Sequence, residues 1–125
     1  MRNLFLIKII TGILFSSCCN GTNRSPKIKM ESILDLGKIT IGDSIERRVS
    51  CVNLEDKAIN IDYIKTPCGC LIAYSKKQMI EPNDSTMIVI VYKPMDTGYT
   101  EQNLFIYLVD YESPFHLLIK SRVYD

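Results

Sequence analysis

Three consecutive residues near the middle of the chain have side chains and spacing that could support chemistry: Cys68, Gly69 and Cys70, which follow Pro67. Two thiols on either side of one glycine could close a small disulfide ring, and a strained ring of this kind would be easily reduced. If the segment were extended instead, both sulfurs would point the same way and could grip a soft metal such as Cu(I). In the third interpretation the motif is structural, because Pro67 and Gly69 bend the chain and small cysteines pack at the edge of a core.

A third cysteine, Cys51, lies in a strand-like pattern with Val49 and Asn53 at alternate positions. We therefore predict that Cys51 is a core residue, and a disulfide from Cys51 to Cys68 or Cys70 is the alternative. The three cysteines together define the possible thiol or metal site. Two thiolates alone make an incomplete zinc site, and the chain has one histidine, so no metal is predicted.

Other arrangements of catalytic residues do not emerge from the sequence. It contains no G-x-S-x-G elbow and no glycine-rich phosphate loop. His116 alternates with apolar neighbours and is expected on a solvated strand face, and Glu55 and Asp56 lie in a turn where solvation is expected. The formal net charge of +1 offers no basic excess for nucleic acid. We expect no catalytic residues and no enzymatic activity.

The N-terminus resembles an export signal. Arg2 precedes an apolar run from Leu4 to Phe15, which is too short to span a bilayer as a helix, and small residues lead to Cys18. A leucine, small residues and then a cysteine resemble the lipobox of bacterial lipoproteins, although Phe15 is larger than usual there. The resemblance implies a signal peptide over residues 1–17 and a covalent diacylglycerol and N-acyl lipid on Cys18, with Cys19 as the fallback. A plain secretory signal or a buried first helix are the alternatives.

The segment after Cys18 is polar and contains glycine, proline and serine, so we predict a flexible tether over residues 18–32. The residues directly after Cys18 contain no acidic run, and such a run would resemble a signal for export to the cell surface. The expected location is therefore the cell envelope, with the lipid in the outer membrane and the domain facing the periplasm.

The remaining residues, 33–125, alternate with period two and are rich in β-branched and aromatic side chains, as strands are. Turn signals such as Pro82-Asn83-Asp84 separate the runs, and no stretch has a sustained helical period. This spacing predicts an all-β, immunoglobulin-like sandwich of about seven strands. The predicted strands are roughly 33–36, 45–53, 58–65, 70–74, 86–92, 103–110 and 115–123.

Five features in order carry a resemblance to a family: Asp35-Leu36-Gly37, Asn53 at the end of the second strand, Cys68-Gly69-Cys70, the turn from Ile80 to Ser85, and a final strand around Leu117. They are similar to the bacterial domain of unknown function 1573, common in Bacteroidota and often found as lipoproteins. Asn83 stands where the family usually has the turn glycine, and Ser121 where a glycine commonly ends the last strand. The resemblance implies a sandwich of the PapD and major-sperm-protein type and assigns no catalytic residues.

The function expected from these observations is a lipid-anchored, non-enzymatic interaction or structural module. Its partners would be the membrane, through the lipid, and a protein or peptide. That partner would bind along an exposed sheet edge or against the apolar run Leu104–Val109. The alternative function is thiol-redox or copper handling by Cys68 and Cys70. The sequence leaves the oligomeric state open.

Overall fold

Nine strands account for most of the residues that the structure, a computed structural model, describes, which are residues 25–125. The strands are β1 (Ile28–Lys29), β2 (Ile33–Thr40), β3 (Ile45–Asn53), β4 (Ile59–Lys65), β5 (Leu71–Ser75), β6 (Met79–Ile80), β7 (Ser85–Tyr92), β8 (Gly98–Leu108) and β9 (Phe115–Tyr124). Within these residues no helix is long and apolar enough to cross a membrane.

The strands form two sheets that pack face to face. Sheet 1 has four strands in the order β1-β3-β7-β5, and sheet 2 has five in the order β2-β9-β8-β4-β6. Only the pair β2 and β9 is parallel among the described strands, and the others are antiparallel. The chain is therefore an all-β sandwich, as the sequence predicted.

The core lies between the sheets and is made from the inward residues of every long strand. Alternation places one side chain in two on this face. Most of the deeply buried side chains are aliphatic, among them Ile59, Leu71, Ile80, Ile88, Ile90, Leu104, Ile106, Leu117, Ile119 and Val123. The two runs that are apolar on both faces belong to β7 and β8, which are interior strands of their sheets. Continuous apolar runs are typical of central strands, which have neighbours on both sides.

All seven predicted strands are present, and two short ones were missed. Ile28 and Lys29 pair with the end of β3, so the predicted tether of residues 18–32 ends too late. The reason is that Ile28 and Met30 pack against the core and anchor the chain before residue 33. The predicted signal peptide and lipidation residues Cys18 and Cys19 lie outside the described residues.

Gly37, one of the residues that carry the family resemblance, has a local structural role. Gly37 has a φ of 74°, and the register of β2 against β9 shifts between Asp35 and Lys38. A β-bulge of this kind needs a left-handed residue, which glycine supplies at least cost. The backbone N–H of Gly37 also donates to Asp35 Oδ1 at 2.8 Å.

Asn53 is fully buried and joins three segments of the chain. Its Nδ2 donates to the carbonyl oxygens of Lys57 and Ile80, each at 2.9 Å, and its Oδ1 accepts the N–H of Glu55 at 2.8 Å. Its backbone oxygen accepts the N–H of Asn83, whose φ of 64° is a left-handed value that asparagine tolerates. Only an amide side chain offers this set of donors and acceptor.

Glu55 was expected to be solvated, and the structure shows it to be buried instead. Its exposed fraction is 4%, and its Oε1 accepts the backbone N–H of Lys27 at 2.9 Å. The turn after β3 folds inward because Asn53 binds the Glu55 N–H, which carries the carboxylate toward the chain that enters β1.

Candidate functional site

The Cys-Gly-Cys motif lies where the chain changes sheets. Residues 66–70 connect β4 of sheet 2 to β5 of sheet 1 and form a turn. Pro67 begins the bend, and two backbone hydrogen bonds close it: Leu71 N to Cys68 O at 3.4 Å and Lys93 N to Cys70 O at 2.9 Å. The motif therefore sets the point at which β5 begins.

Cys68 and Cys70 are joined by a disulfide with an S–S distance of 2.02 Å and a Cα–Cα distance of 5.3 Å. The segment is a turn, so the extended geometry on which the copper interpretation depended is not adopted. In this oxidised form neither sulfur is a thiolate, which is the species that binds a soft metal. Within residues 25–125 no group of three or more His, Cys, Asp or Glu side chains is placed to hold a metal ion.

Both cysteines line a small, mostly apolar cavity of about 360 Å³. Its other walls are Gly69, Lys93 and Met95, and the Met95 side chain is 72% exposed. The Gln102 amide lies beside the disulfide. Its Oε1 lies 3.9 Å from Cys68 Sγ and its Nε2 lies 3.9 Å from Cys70 Sγ.

Cys51 is separate from this site. It is a free thiol with an exposed fraction of 2%, on the inward face of β3 opposite Thr86. Burial raises the pKa of the Cys51 thiol to about 11. The alternative disulfide from Cys51 to the motif is not formed, and the structure places Cys51 in the core.

The strand that follows the motif, β5, forms one edge of sheet 1. Within the described residues β5 pairs with β7 alone. Bonds from Lys93 N to Cys70 O and from Lys76 N to Met87 O mark the paired positions at its ends. Because paired positions alternate in an antiparallel ladder, Ile72 and Tyr74 also bond to β7, and the N–H and C=O of Ala73 point away from it.

Exposed apolar side chains flank this edge. Ile72 is 58% exposed and Tyr74 50% exposed on the outer face of sheet 1. On the other flank Tyr63, also half exposed, lines a groove of about 200 Å³ between β4 and β5. Ala73, Tyr74 and Ser75 form the opposite wall of this groove. We call the segment Leu71–Ser75 with its unpaired backbone groups the β5 edge.

The β5 edge lacks the features that block edge pairing in most sheets. Leu71–Ser75 contains no charge, proline or bulge, and these are the usual protections. The other long edge strand, β2, has a bulge and carries Asp35 and Lys38. The edge strands β1 and β6 have two residues each, which is too short to form a template.

A second groove lies elsewhere, beside β3. It has a volume of about 610 Å³ where β1 ends and leaves part of β3 uncovered. Its walls include Lys29, Glu31 and Arg48, and β3 itself carries the run Glu46-Arg47-Arg48. Charged side chains on an open edge disfavour strand pairing, so this groove is the weaker candidate.

The outer face of β8 was the second predicted contact surface, and it is partly covered by its neighbours. Tyr107 stacks on Tyr63 with ring centroids 4.5 Å apart, and Phe105 stacks on His116 at 5.0 Å. His116 is exposed, as predicted, and its Nε2 lies 2.7 Å from Asn103 Oδ1. The inward residues of the run are core residues.

Sequence reasoning missed Lys93, Met95 and Gln102 as neighbours of the disulfide. They follow β7 or lie in β8, and no spacing along the chain relates them to residue 68 or 70. It also did not single out β5 as the exposed edge, because strand order within a sheet depends on which sheet the chain enters after a turn.

Comparisons with known proteins agree with this architecture. The family model described as "Protein of unknown function (DUF1573)" matches residues 27–123. A search of the curated proteins found no match.

Among solved structures, a protein of unknown function from Porphyromonas gingivalis W83 is 17% identical with a TM-score of 0.69. The match covers 76% of this chain and 46% of the P. gingivalis chain. The PapD-like domain 7 of human CEP192 is 8% identical with a TM-score of 0.66, covering 94% and 99%. The secreted serine protease VesC from Vibrio cholerae is 15% identical with a TM-score of 0.62, covering 78% and 23%. The chain thus spans less than half of the P. gingivalis protein and about a quarter of the protease. These likenesses concern the fold alone.

Proposed function

Since this chain belongs to the DUF1573 family of proteins of unknown function, its role has to be inferred from its surface. We propose that it is a lipid-anchored, non-enzymatic binding module of the cell envelope. It captures an extended peptide segment of a partner protein along the β5 edge. The observation that carries this proposal is that β5 is hydrogen-bonded on one side only, within the described residues, and has no charge, proline or bulge to block the other.

The chemistry of the β5 edge favours a particular kind of partner. Main-chain groups of Ala73 would bind an added strand, which gives affinity without reading sequence. Ile72 and Tyr74 lie on one face of β5. Side chains on the same face of an added strand would lie beside them, and apolar or aromatic cross-strand pairs are favourable. The expected partner segment is therefore extended and uncharged, with β-branched or aromatic residues at alternate positions.

The proposed anchor is the lipid on Cys18, or on Cys19 if the first cysteine is not used. Nine residues separate Cys18 from Ile28, where β1 begins. Even fully extended they could span at most roughly 30 Å. The sandwich would then stay close to the membrane surface, in the proposed location at the outer membrane facing the periplasm.

The proposal is tested by selecting peptides from a random display library against the immobilised full chain. Affinities of the selected peptides are then compared between the native chain and the double variant Ile72→Asp, Tyr74→Asp. Loss of two apolar cross-strand contacts, with charges introduced, should weaken binding by at least about tenfold. The matched control is Ile33→Asp, because Ile33 is 52% exposed but lies on the edge strand β2.

Binding that survives the double variant, or that Ile33→Asp weakens equally, would contradict the proposal. The first result would place the peptide site away from the β5 edge. The second would mean that the selected peptides respond to surface charge in general. In either case the proposal that the chain captures peptides along the β5 edge would be rejected.

A further inference from the structure

The second feature of this region that calls for a function is the disulfide itself. It encloses a single residue, Gly69, and opens onto the cavity lined by Lys93 and Met95. Both cysteines are half-buried and Gly69 is exposed. A thiol carried by a small molecule or by an exposed protein loop could therefore approach the sulfurs from the cavity.

The turn is held by more than the disulfide. Pro67 restricts the backbone ahead of the motif. The hydrogen bonds from Leu71 N to Cys68 O and from Lys93 N to Cys70 O connect the turn to β5 and to the residue after β7. Stabilisation by a disulfide grows with the length of the loop that it closes, and this loop is among the shortest possible. Opening the bond is therefore expected to leave the sandwich folded.

The surroundings of the two sulfurs are unequal, and the difference gives the exchange a direction. Gln102 presents its amide N–H to Cys70 and its carbonyl oxygen to Cys68. An N–H donor stabilises a thiolate, whereas a carbonyl oxygen does not. Lys93 lines the same cavity, and a cationic group there would favour a thiolate on either cysteine, so the difference between the sulfurs comes from Gln102. Cys70 is therefore the better leaving group.

We propose that the Cys68–Cys70 disulfide is a thiol–disulfide exchange site that accepts two electrons from a dithiol. A thiolate of the dithiol attacks Cys68 Sγ, the Cys68–Cys70 bond breaks, and a mixed disulfide forms on Cys68 while Cys70 departs as a thiolate. The second thiol of the dithiol then loses its proton, and its thiolate attacks the first sulfur of the dithiol, which is bonded to Cys68 in the mixed disulfide. Cys68 is released as a thiolate, so the dithiol becomes a disulfide and the motif becomes a dithiol. A protein or small-molecule disulfide reverses these steps.

Cys51 does not take part in this exchange. It is buried in the core and its raised pKa keeps it as a thiol. Since the thiolate is the attacking species, Cys51 is not expected to scramble the motif disulfide. The site therefore operates with two of the three cysteines outside the N-terminal segment.

The experiment uses the full chain, equilibrated with buffers of reduced and oxidised glutathione, then quenched by alkylation and read by mass spectrometry. We expect reversible opening of the Cys68–Cys70 bond while Cys51 stays unmodified and the circular dichroism spectrum stays that of the folded protein. In the native chain, glutathione mapped to Cys68 in the quenched mixed disulfide, with Cys70 alkylated, would identify Cys68 as the attacked sulfur. A disulfide that opens only when the protein unfolds would overturn the proposal.

Two positioning variants separate exchange from a merely structural bond. Gln102→Ala and Lys93→Met should each raise the pKa of the Cys70 thiol, measured in Cys68→Ser from the pH dependence of alkylation. For a rise of about one unit, exchange in the native pair should slow roughly threefold. Unchanged pKa and rate in both variants would refute the assigned direction. Ala73→Pro, which alters the β5 edge, should leave exchange unchanged, so this proposal and the binding module can fail separately.

Discussion

Ala73 lies opposite Ile90 in the ladder between β5 and β7, and within residues 25–125 no strand lies on the other side of Ala73. Its neighbours Ile72 and Tyr74 use their backbone groups toward β7, so Ala73 presents one N–H and one C=O outward. An unpaired backbone position of this kind is a template for another strand. The relationship between Ala73 and Ile90 therefore defines the site at which a partner would add.

Ala73→Pro tests this site directly. Proline removes the outward N–H, which the β5 and β7 ladder does not use, and edge strands tolerate proline at such positions. We expect peptide binding to be lost while the free energy of unfolding falls by less than about 2 kcal/mol. Isothermal titration and denaturant unfolding measure the two quantities.

The control for that variant is Ala73→Ser, which keeps the N–H and nearly the same volume. It should bind peptides as the native chain does. If Ala73→Pro binds as tightly as Ala73→Ser, main-chain pairing at β5 is not the mode of capture.

Asn53→Ala should be among the most destabilising changes in the protein. It removes hydrogen bonds to the oxygens of Lys57 and Ile80 and from the N–H of Glu55, and it leaves buried groups unpaired. We expect a loss of about 2 to 4 kcal/mol in urea unfolding. Asn60→Ala, at an exposed position in β4, should change stability by no more than about 0.5 kcal/mol. A loss at Asn53 no larger than at Asn60 would contradict this account of the buried amide.

Replacing both motif cysteines should have a modest cost. In the chain-entropy account, a loop of three residues contributes roughly 1.5 kcal/mol of stability. Cys68→Ser with Cys70→Ser should therefore fold, lose about that amount in urea unfolding and still bind the selected peptides. A double variant that is folded but no longer binds peptides would show that the disulfide is part of the binding site.

Cys51 should make stability depend on pH in the alkaline range. Burial raises its folded pKa from 9.0 to about 11. The unfolded chain therefore loses the Cys51 proton first, and stability that is intact below pH 9 falls as the pH rises toward 11. The loss due to this thiol is about 2 kcal/mol.

Comparison with Cys51→Ala isolates this effect, because other groups titrate in both proteins. Urea unfolding at pH 8 and at pH 11 should show a smaller alkaline loss in the variant. Equal losses would mean that the Cys51 thiol is not held in its protonated form by the fold.

Strand positions were largely predictable because alternation is a local property. The prediction of residues 45–53 matches β3, and the turn predicted around Asn83 is present. The two-residue strands β1 and β6 were missed because two residues cannot show a period. The first half of β8 was missed because Tyr99 and Glu101 are exposed and polar or amphipathic, so no buried face marks it.

The candidate site was predictable only in part. Cys68 and Cys70 were identified because their spacing is visible along the chain. Gln102 comes within 3.9 Å of their sulfurs only because β8 and the turn meet at one end of the sandwich. The unpaired state of Ala73 follows from strand order, which no local pattern encodes.

The most direct test of the binding module is amide hydrogen exchange of the full chain with and without a selected peptide. Pairing on β5 should protect the Ala73 and Ser75 amides, which point outward in the ladder, while Ile72 and Tyr74, already bonded to β7, should change little. Protection of Ala73 and Ser75 on binding is the predicted result. Bound peptide without protection at these two amides, or with new protection along β3 instead, would contradict the account.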